Sequence, residues 1–178
     1  KELSRPRYVA QPITLGANTD PYQPIERDRR ITRAILEVLA RFRHPVSIVT
    51  KSALVIRDLD ILAPMAADGL AGVGISLTTL DKDLARRMEP RAAAPHRRIE
   101  TIGALGAAGV PVAVLVSPII PFLTESEIER IIEAAAAAGA RAAGYILLRL
   151  PLELKELFTD WLESHFPGRA RHVLNRLR

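Results

Sequence analysis

Five short apolar runs, none alternating strictly with polar residues, recur along the chain, and a helical pattern follows each of them. They occupy residues 12–15, 46–49, 72–77, 110–116 and 143–148. Strands of this kind, separated by helices, indicate a parallel sheet covered by those helices. Right-handed crossovers between such units produce either an open doubly wound sheet or a barrel. Five units are too few to close an eight-stranded barrel, so an incomplete barrel or an open sheet remains.

The helices are read from spacing and punctuation. Ile31, Ile35, Val38, Leu39 and Phe42 recur at helical intervals across 27–43. A helix at 52–65 has Ser52 as its N-cap. The third run is followed by a polar segment and then a helix at 99–108, which Gly109 closes. Thr124 and Glu127 stand at capping-box spacing ahead of a helix at 124–138, stopped by Gly139. Pro151 opens the last helix, 151–164, at the first helical position. The expected organisation is a linker at 1–11, a barrel part at 12–166 and a basic helical extension at 167–178.

Composition narrows the class. Hydrophobic residues make up 48% of the chain and aromatics only 4%, a balance that suits helices packed on buried strands better than an all-β sandwich. No apolar stretch reaches the roughly 18 residues a membrane span needs, and the longest is broken by Pro111, Pro118 and Pro121. There is no cysteine, so neither a disulfide framework nor a thiolate metal site exists within these residues. No signal peptide is visible, and a cytoplasmic location is expected. The chain lacks an initiating Met and stops in a basic helix-like segment, as an internal piece of a longer protein would. The net charge of +5 permits contact with an anion such as nucleic acid but does not demand it, and the scatter of Arg and Lys suits a solvated surface better.

In parallel βα architectures ligands meet the C-terminal strand ends and the loops that follow. All five such positions are polar here: Asn18-Thr19-Asp20 with Glu26, then Thr50-Lys51-Ser52, Ser76 with Thr78 and Thr79, Ser117, and Arg149. The opposite ends carry mostly Gly, Pro and Ala. Asp20 can accept hydrogen bonds from an ammonium group, or Asp20-Pro21 is simply a turn. Lys51 can bind a carboxylate or form a Schiff base, or it points into solvent beyond a strand end. Ser76 and Ser117 reach a hydroxyl or carboxylate, or merely close their strands. Arg91 offers a fork for a carboxylate, and it belongs with Arg86, Arg87, His96, Arg97 and Arg98 to the densest basic stretch, which contacts phosphate or forms a solvated face. His44, His165 and His172 lack metal-ligand spacing and read as surface or boundary residues; Trp161 reads as core.

The run Thr19-Asp20-Pro21-Tyr22-Gln23-Pro24-Ile25-Glu26 resembles the second-strand loop of radical S-adenosylmethionine (SAM) proteins related to spore photoproduct lyase, described as DNA repair photolyase-like. The resemblance continues through Val49-Thr50-Lys51-Ser52, Gly74-Ile75-Ser76-Leu77-Thr78-Thr79, Met88-Glu89-Pro90-Arg91, Ser117-Pro118-Ile119-Ile120-Pro121 and Leu148-Arg149-Leu150-Pro151. It implies an α/β fold, a partial (βα)6 TIM-like barrel of the radical SAM type, lacking its first βα unit here and leaving a sheet edge at 12–15. In the family that first unit carries three cysteines holding a [4Fe–4S] cluster, so the cluster ligands are expected outside these residues. The implied activity is generation of a 5′-deoxyadenosyl radical from SAM, with lyase-like action on nucleic acid. An external electron donor such as flavodoxin or ferredoxin is implied as a partner, and no membrane.

Residue by residue, the resemblance implies a SAM cradle of Asn18, Thr19, Asp20, Lys51, Ser76, Arg91, Ser117 and Arg149. Thr19 and Asp20 would approach the methionyl amino group, Lys51 its carboxylate, and Ser76 the carboxylate or ribose. Ser117 and Arg149 would border the ribose and adenine, and Arg91 would make a second carboxylate or phosphate contact. No catalytic residue is identified, though Tyr22 and Tyr145 are hydrogen-donor candidates by type. Two other readings remain open: a Schiff-base lyase using Lys51, and a non-catalytic α/β module that binds nucleotide or nucleic acid.

Overall fold

The computed structural model describes residues 2–177. Its centre is one five-stranded sheet in which strand order follows chain order and every neighbouring pair is parallel. The strands are β1 (Ile13–Leu15), β2 (Val46–Thr50), β3 (Ala71–Ser76), β4 (Val112–Ile119) and β5 (Ala142–Leu147). Consecutive strands that are parallel and adjacent require a crossover each time, and helices supply it. All five C-terminal strand ends therefore face the same way.

Burial alternates along the inner strands. Val46, Ile48 and Thr50 are buried on β2, whereas Ser47 and Val49 are only half-buried; β4 repeats this with Val112, Val114 and Val116 against Ala113 and Leu115. The buried face meets Leu36, Leu39, Leu62, Met65, Ile102, Leu105, Ile131 and Ala135 from the helices. Each fully buried Leu or Ile contributes about 1.5–3 kcal/mol relative to exposure. The less buried face includes small residues, Gly72, Gly74 and Ala113, beside Val49 and Leu115. Helix cover on both faces of every strand is thus not what forms. β5 departs furthest, with Tyr145, Ile146 and Leu147 exposed, and β1 is the other sheet edge.

The helices correct the sequence expectations at several points. The segment 27–43 is two helices, α1 (Glu26–Arg29) and α2 (Ile31–Arg41), separated by Arg30 in the left-handed region at φ 51°. The break lets the Glu26 carboxylate accept hydrogen bonds from the Ile31 and Thr32 amides, which α2 leaves without helical partners. On α2 the core side chains are Leu36 and Leu39, while Ile31, Ile35, Val38 and, just past its end, Phe42 are exposed. Ser52 does cap, accepting from the Leu54 amide, but it opens a 3-10 segment (Ala53–Asp58) that precedes α3 (Leu59–Ala67).

The polar segment after β3 contains a helix that periodicity missed, α4 (Lys82–Met88), capped by Asp81 through the Asp83 and Leu84 amides. The next helix, α5 (Pro95–Ala107), starts four residues before 99, with Pro95 at its first turn. The capping box of Thr124 and Glu127 does not form. Thr124 accepts from the Ile120 amide, and Glu127 reaches across to the Thr79 hydroxyl and Leu80 amide. α6 (Ile128–Ala138) ends at Gly139 in the left-handed region, as its sequence indicates.

α7 (Leu152–His165) begins just after Pro151, and α8 (Pro167–Arg176) buries Ala170 and Val173 in a second cluster with Leu84, Ile120, Leu123 and Leu162. Trp161 is only partly buried, stacked on Phe158 and His165. His44 is buried, not a surface residue, and hydrogen-bonds the Tyr8 hydroxyl at 2.7 Å. No helix of the described residues is long and apolar enough to cross a membrane.

Candidate functional site

The loop after β1 is pinned to the end of β2. Gly16, at φ 100°, packs so closely that a Cβ there would stand 2.0 Å from the Val49 carbonyl oxygen. Asp20 then accepts three hydrogen bonds: from the Tyr22 amide at 2.9 Å, the Thr50 hydroxyl at 2.7 Å and the Lys51 amide at 2.8 Å. Two neighbouring strand ends are thereby joined through one carboxylate. Lys51 follows immediately, so the same contacts fix where its side chain leaves the backbone.

A buried ionic network supports that loop from behind. The Tyr22 hydroxyl donates to Asp58 at 3.0 Å, and Arg57 and Arg33 both pair with the fully buried Asp58 carboxylate. Arg57 also donates to the Glu26 carboxylate at 2.8 Å, and Arg33 pairs with Asp60 at 2.6 Å. Burial and the adjacent Asp58 charge push the Tyr22 phenol far above its ordinary range. Burial works to raise Asp58 and Glu26 too, but hydrogen bonds from Arg57 and its neighbours overcome this and hold both carboxyls below their usual values. Buried carboxylates of this kind keep their charge because every lone pair has a donor.

A second carboxylate, Glu89, lies between two cations. Its oxygens are 2.5 Å from the Lys51 ammonium and 2.6 Å from the Arg98 guanidinium. Arg98 is 2% exposed and also donates to the carbonyls of Ser76 and Ala93, so it anchors Glu89 to the end of β3. Lys51 is 38% exposed and reaches the site from the open side. Burial raises the Glu89 carboxyl, and the charges of Arg98 and Lys51 outweigh it, leaving the group below its ordinary value.

These loops enclose an open cleft of about 680 Å³ at the C-terminal ends of β1 to β3, a size within the range of small-molecule sites. Asp20, Tyr22, Arg27, Lys51, Leu54, Arg91 and Arg97 contribute to its lining. Of the residues expected in one cradle, Asp20, Lys51 and Arg91 come together here. Ser76 and Ser117 meet each other instead, the Ser76 hydroxyl donating to the Ser117 carbonyl at 3.1 Å. Asn18, Thr19 and Arg149 are exposed and do not line the cleft. Arg98, which falls in the basic stretch, is a buried structural cation and not part of a solvated face. The roles of Glu89, Asp58 and Arg57 were not legible in sequence. Their only signals were an acid beside Pro90 and an Arg-Asp pair inside an apolar helix pattern.

The radical SAM superfamily matches residues 1–135. The chain belongs to that superfamily. It is 35% identical over 180 residues to an uncharacterized protein of Mycobacterium tuberculosis, covering 98% of this chain and 53% of that protein. An uncharacterized protein of Methanocaldococcus jannaschii is 28% identical over 175 residues, covering 98% of this chain and 64% of the relative. The chain thus spans about half the length of the mycobacterial relative. A double mutant of spore photoproduct lyase, solved with bound AdoMet and dinucleoside spore photoproduct, superposes with a TM-score of 0.63 at 17% identity, covering 89% of this chain and 46% of that one. That likeness establishes the fold, five parallel βα units of a TIM-like radical SAM barrel.

Proposed function

We propose that the complete protein is a radical SAM enzyme whose SAM site is the cleft at the ends of β1 to β3. The observation that carries this reading is the convergence of Asp20 and Lys51 on one cleft in a chain of that superfamily. SAM presents an amino group, a carboxylate and a nucleoside, and the side chains present suit it. The half-exposed Lys51 ammonium faces a carboxylate, and Asp20 lies beside it for an amino group. When bound, SAM with an iron–sulfur cluster supplies one-electron chemistry that these side chains cannot. The 178 residues contain no cysteine, so they do not fit a cluster, and thiolate ligands would come from elsewhere in the polypeptide.

In this reading Lys51 orients the methionyl carboxylate while Glu89 and Arg98 keep its ammonium at the rim. Asp20 holds the β1 loop in register and offers its remaining lone pair to the amino group. The nucleoside would extend from the cleft towards Ser76 and Ser117 at the ends of β3 and β4, and no contact is assigned to Asn18, Thr19 or Arg149, which do not line the cleft. Residues 12–166 form the barrel part, 1–11 a linker and 167–178 an appended basic helix. Nucleic acid is the substrate class the reading favours, supported by the net charge of +5. An external one-electron donor completes the partners, and cytoplasm is the expected location.

The test is electron paramagnetic resonance on the complete protein, purified without oxygen and reduced, with and without SAM. A [4Fe–4S]⁺ signal that changes on adding SAM, accompanied by 5′-deoxyadenosine, is the expected result. A protein that stays iron-free after reconstitution overturns the reading.

A further inference from the structure

Two arginines in the cleft exceed what the cofactor reading uses. Arg27, on α1, and Arg91, between α4 and α5, both line the cleft and are exposed, and neither has a carboxylate partner among the described residues. The other lining cations differ in this respect. Lys51 is matched by Glu89, and Arg97 pairs with Glu100 at 2.6 Å. Asp20, the one acid in the lining, has its carboxylate occupied by three hydrogen bonds that hold the β1 loop. SAM carries a single carboxylate, which Lys51 serves, and no phosphate. Two unpaired guanidiniums facing one cavity suit a second, more highly charged anion.

We propose that Arg27 and Arg91 clamp a phosphate group of the substrate in the cleft. The proposal rests on the assignment of the cleft to SAM, because it is the cofactor's lack of phosphate that leaves these two arginines unused. A guanidinium presents parallel N–H donors that match two phosphate oxygens, and two such forks from different loops fix orientation as well as charge. Tyr22, Pro24 and Leu54 supply apolar lining in the same cavity, against which the organic part of a phosphate ester packs. The same chemistry serves a free nucleotide or one phosphodiester of a strand, and the probes separate these.

The experiment uses the complete protein without added iron or SAM. Inorganic phosphate, adenosine 5′-monophosphate, a short single-stranded oligodeoxynucleotide and phosphate-free adenosine are titrated against wild type, Arg27→Ala, Arg91→Ala and Arg130→Ala. Arg130 is exposed on α6, outside the cleft, and controls for loss of one positive charge. The expected result is a loss of about tenfold or more in affinity for a phosphate probe in each cleft variant, with Arg130→Ala near wild type. Lysine at either cleft position should restore part of that loss, and adenosine should show no dependence on the arginines. Whichever phosphate probe binds tightest identifies the source. Equal weakening in all three alanine variants, or no binding of any phosphate probe, overturns the proposal. SAM titration of the same wild-type preparation, reconstituted with iron, separates the two ideas. SAM binding without phosphate binding removes only the clamp, and phosphate binding without SAM binding removes only the cofactor assignment.

Discussion

Glu89 lies 2.5 Å from the ammonium of Lys51, and the same carboxylate is held 2.6 Å from Arg98, a guanidinium almost wholly out of water. The exposed cation is thus coupled to the buried one through a single acid. Replacing Glu89 with Gln removes the only carboxylate paired with Arg98 among the described residues and strands a buried charge, a change that costs about 3–5 kcal/mol. Urea unfolding should show the midpoint falling with the slope unchanged. An unaltered midpoint would mean that Arg98 needs no counter-charge.

Lys51→Met keeps the length of the side chain and removes its charge. Because Glu89 retains Arg98, stability should change far less than in Glu89→Gln. The affinity of the reconstituted complete protein for SAM should fall about tenfold or more, as expected for loss of a charge-assisted contact. Calorimetric titration measures this directly, and wild-type affinity in the variant would remove Lys51 from the cofactor site.

Tyr22 and Asp58 offer a graded comparison. Tyr22→Phe deletes one hydrogen bond to a charged acceptor and should cost about 1.5–3 kcal/mol. Asp58→Ala leaves Arg57 and Arg33 without their shared partner and should cost more. A double-mutant cycle should show the two effects to be non-additive, since both residues belong to one network. Full additivity would contradict the described contact.

Gly16→Ala should be among the most damaging single-methyl changes in the chain. The new Cβ meets the Val49 carbonyl oxygen at 2.0 Å, and the backbone at φ 100° already disfavours any L side chain. Loss of soluble protein or a fall in Tm of several degrees is the expected result. Gly109, also at positive φ but with open space around its Cβ direction, should tolerate alanine better.

Stability should fall in acid for a defined reason. Glu89, Asp58 and Glu26 all have folded-state carboxyl values below their ordinary ones. Below the unfolded values near about 4 the unfolded chain binds protons that the folded chain does not, so stability is lost as pH falls through the folded values. Above that range the contribution is fully present. Thermal melts between pH 7 and pH 3 should show Tm flat and then falling, and Glu89→Gln should flatten part of the drop.

The fold was legible because its signal is local: apolar runs, helical spacing, and stops such as Gly139 each act over a few residues. The errors arose where a distant partner decided the outcome. Glu26 breaks 27–43 into two helices by capping α2 with its own side chain, which needs Arg30 in a conformation that Arg does not announce. Glu127 has the right spacing to box with Thr124, yet it binds Thr79 and Leu80 from another βα unit. The site divides the same way. Asp20 and Lys51 stand next to strand ends and could be found from position, whereas Asp58 and Arg98 work from inside helical patterns that look structural.

Strand order equal to chain order has a consequence for how the cleft comes into being. Every residue named in its lining lies between Asp20 and Arg97, and Arg98, the anchor of Glu89, is the next residue along. On the ribosome the whole pocket wall has therefore been synthesised before β4 and β5 exist, and the later half of the chain adds support to a cavity whose parts are already present.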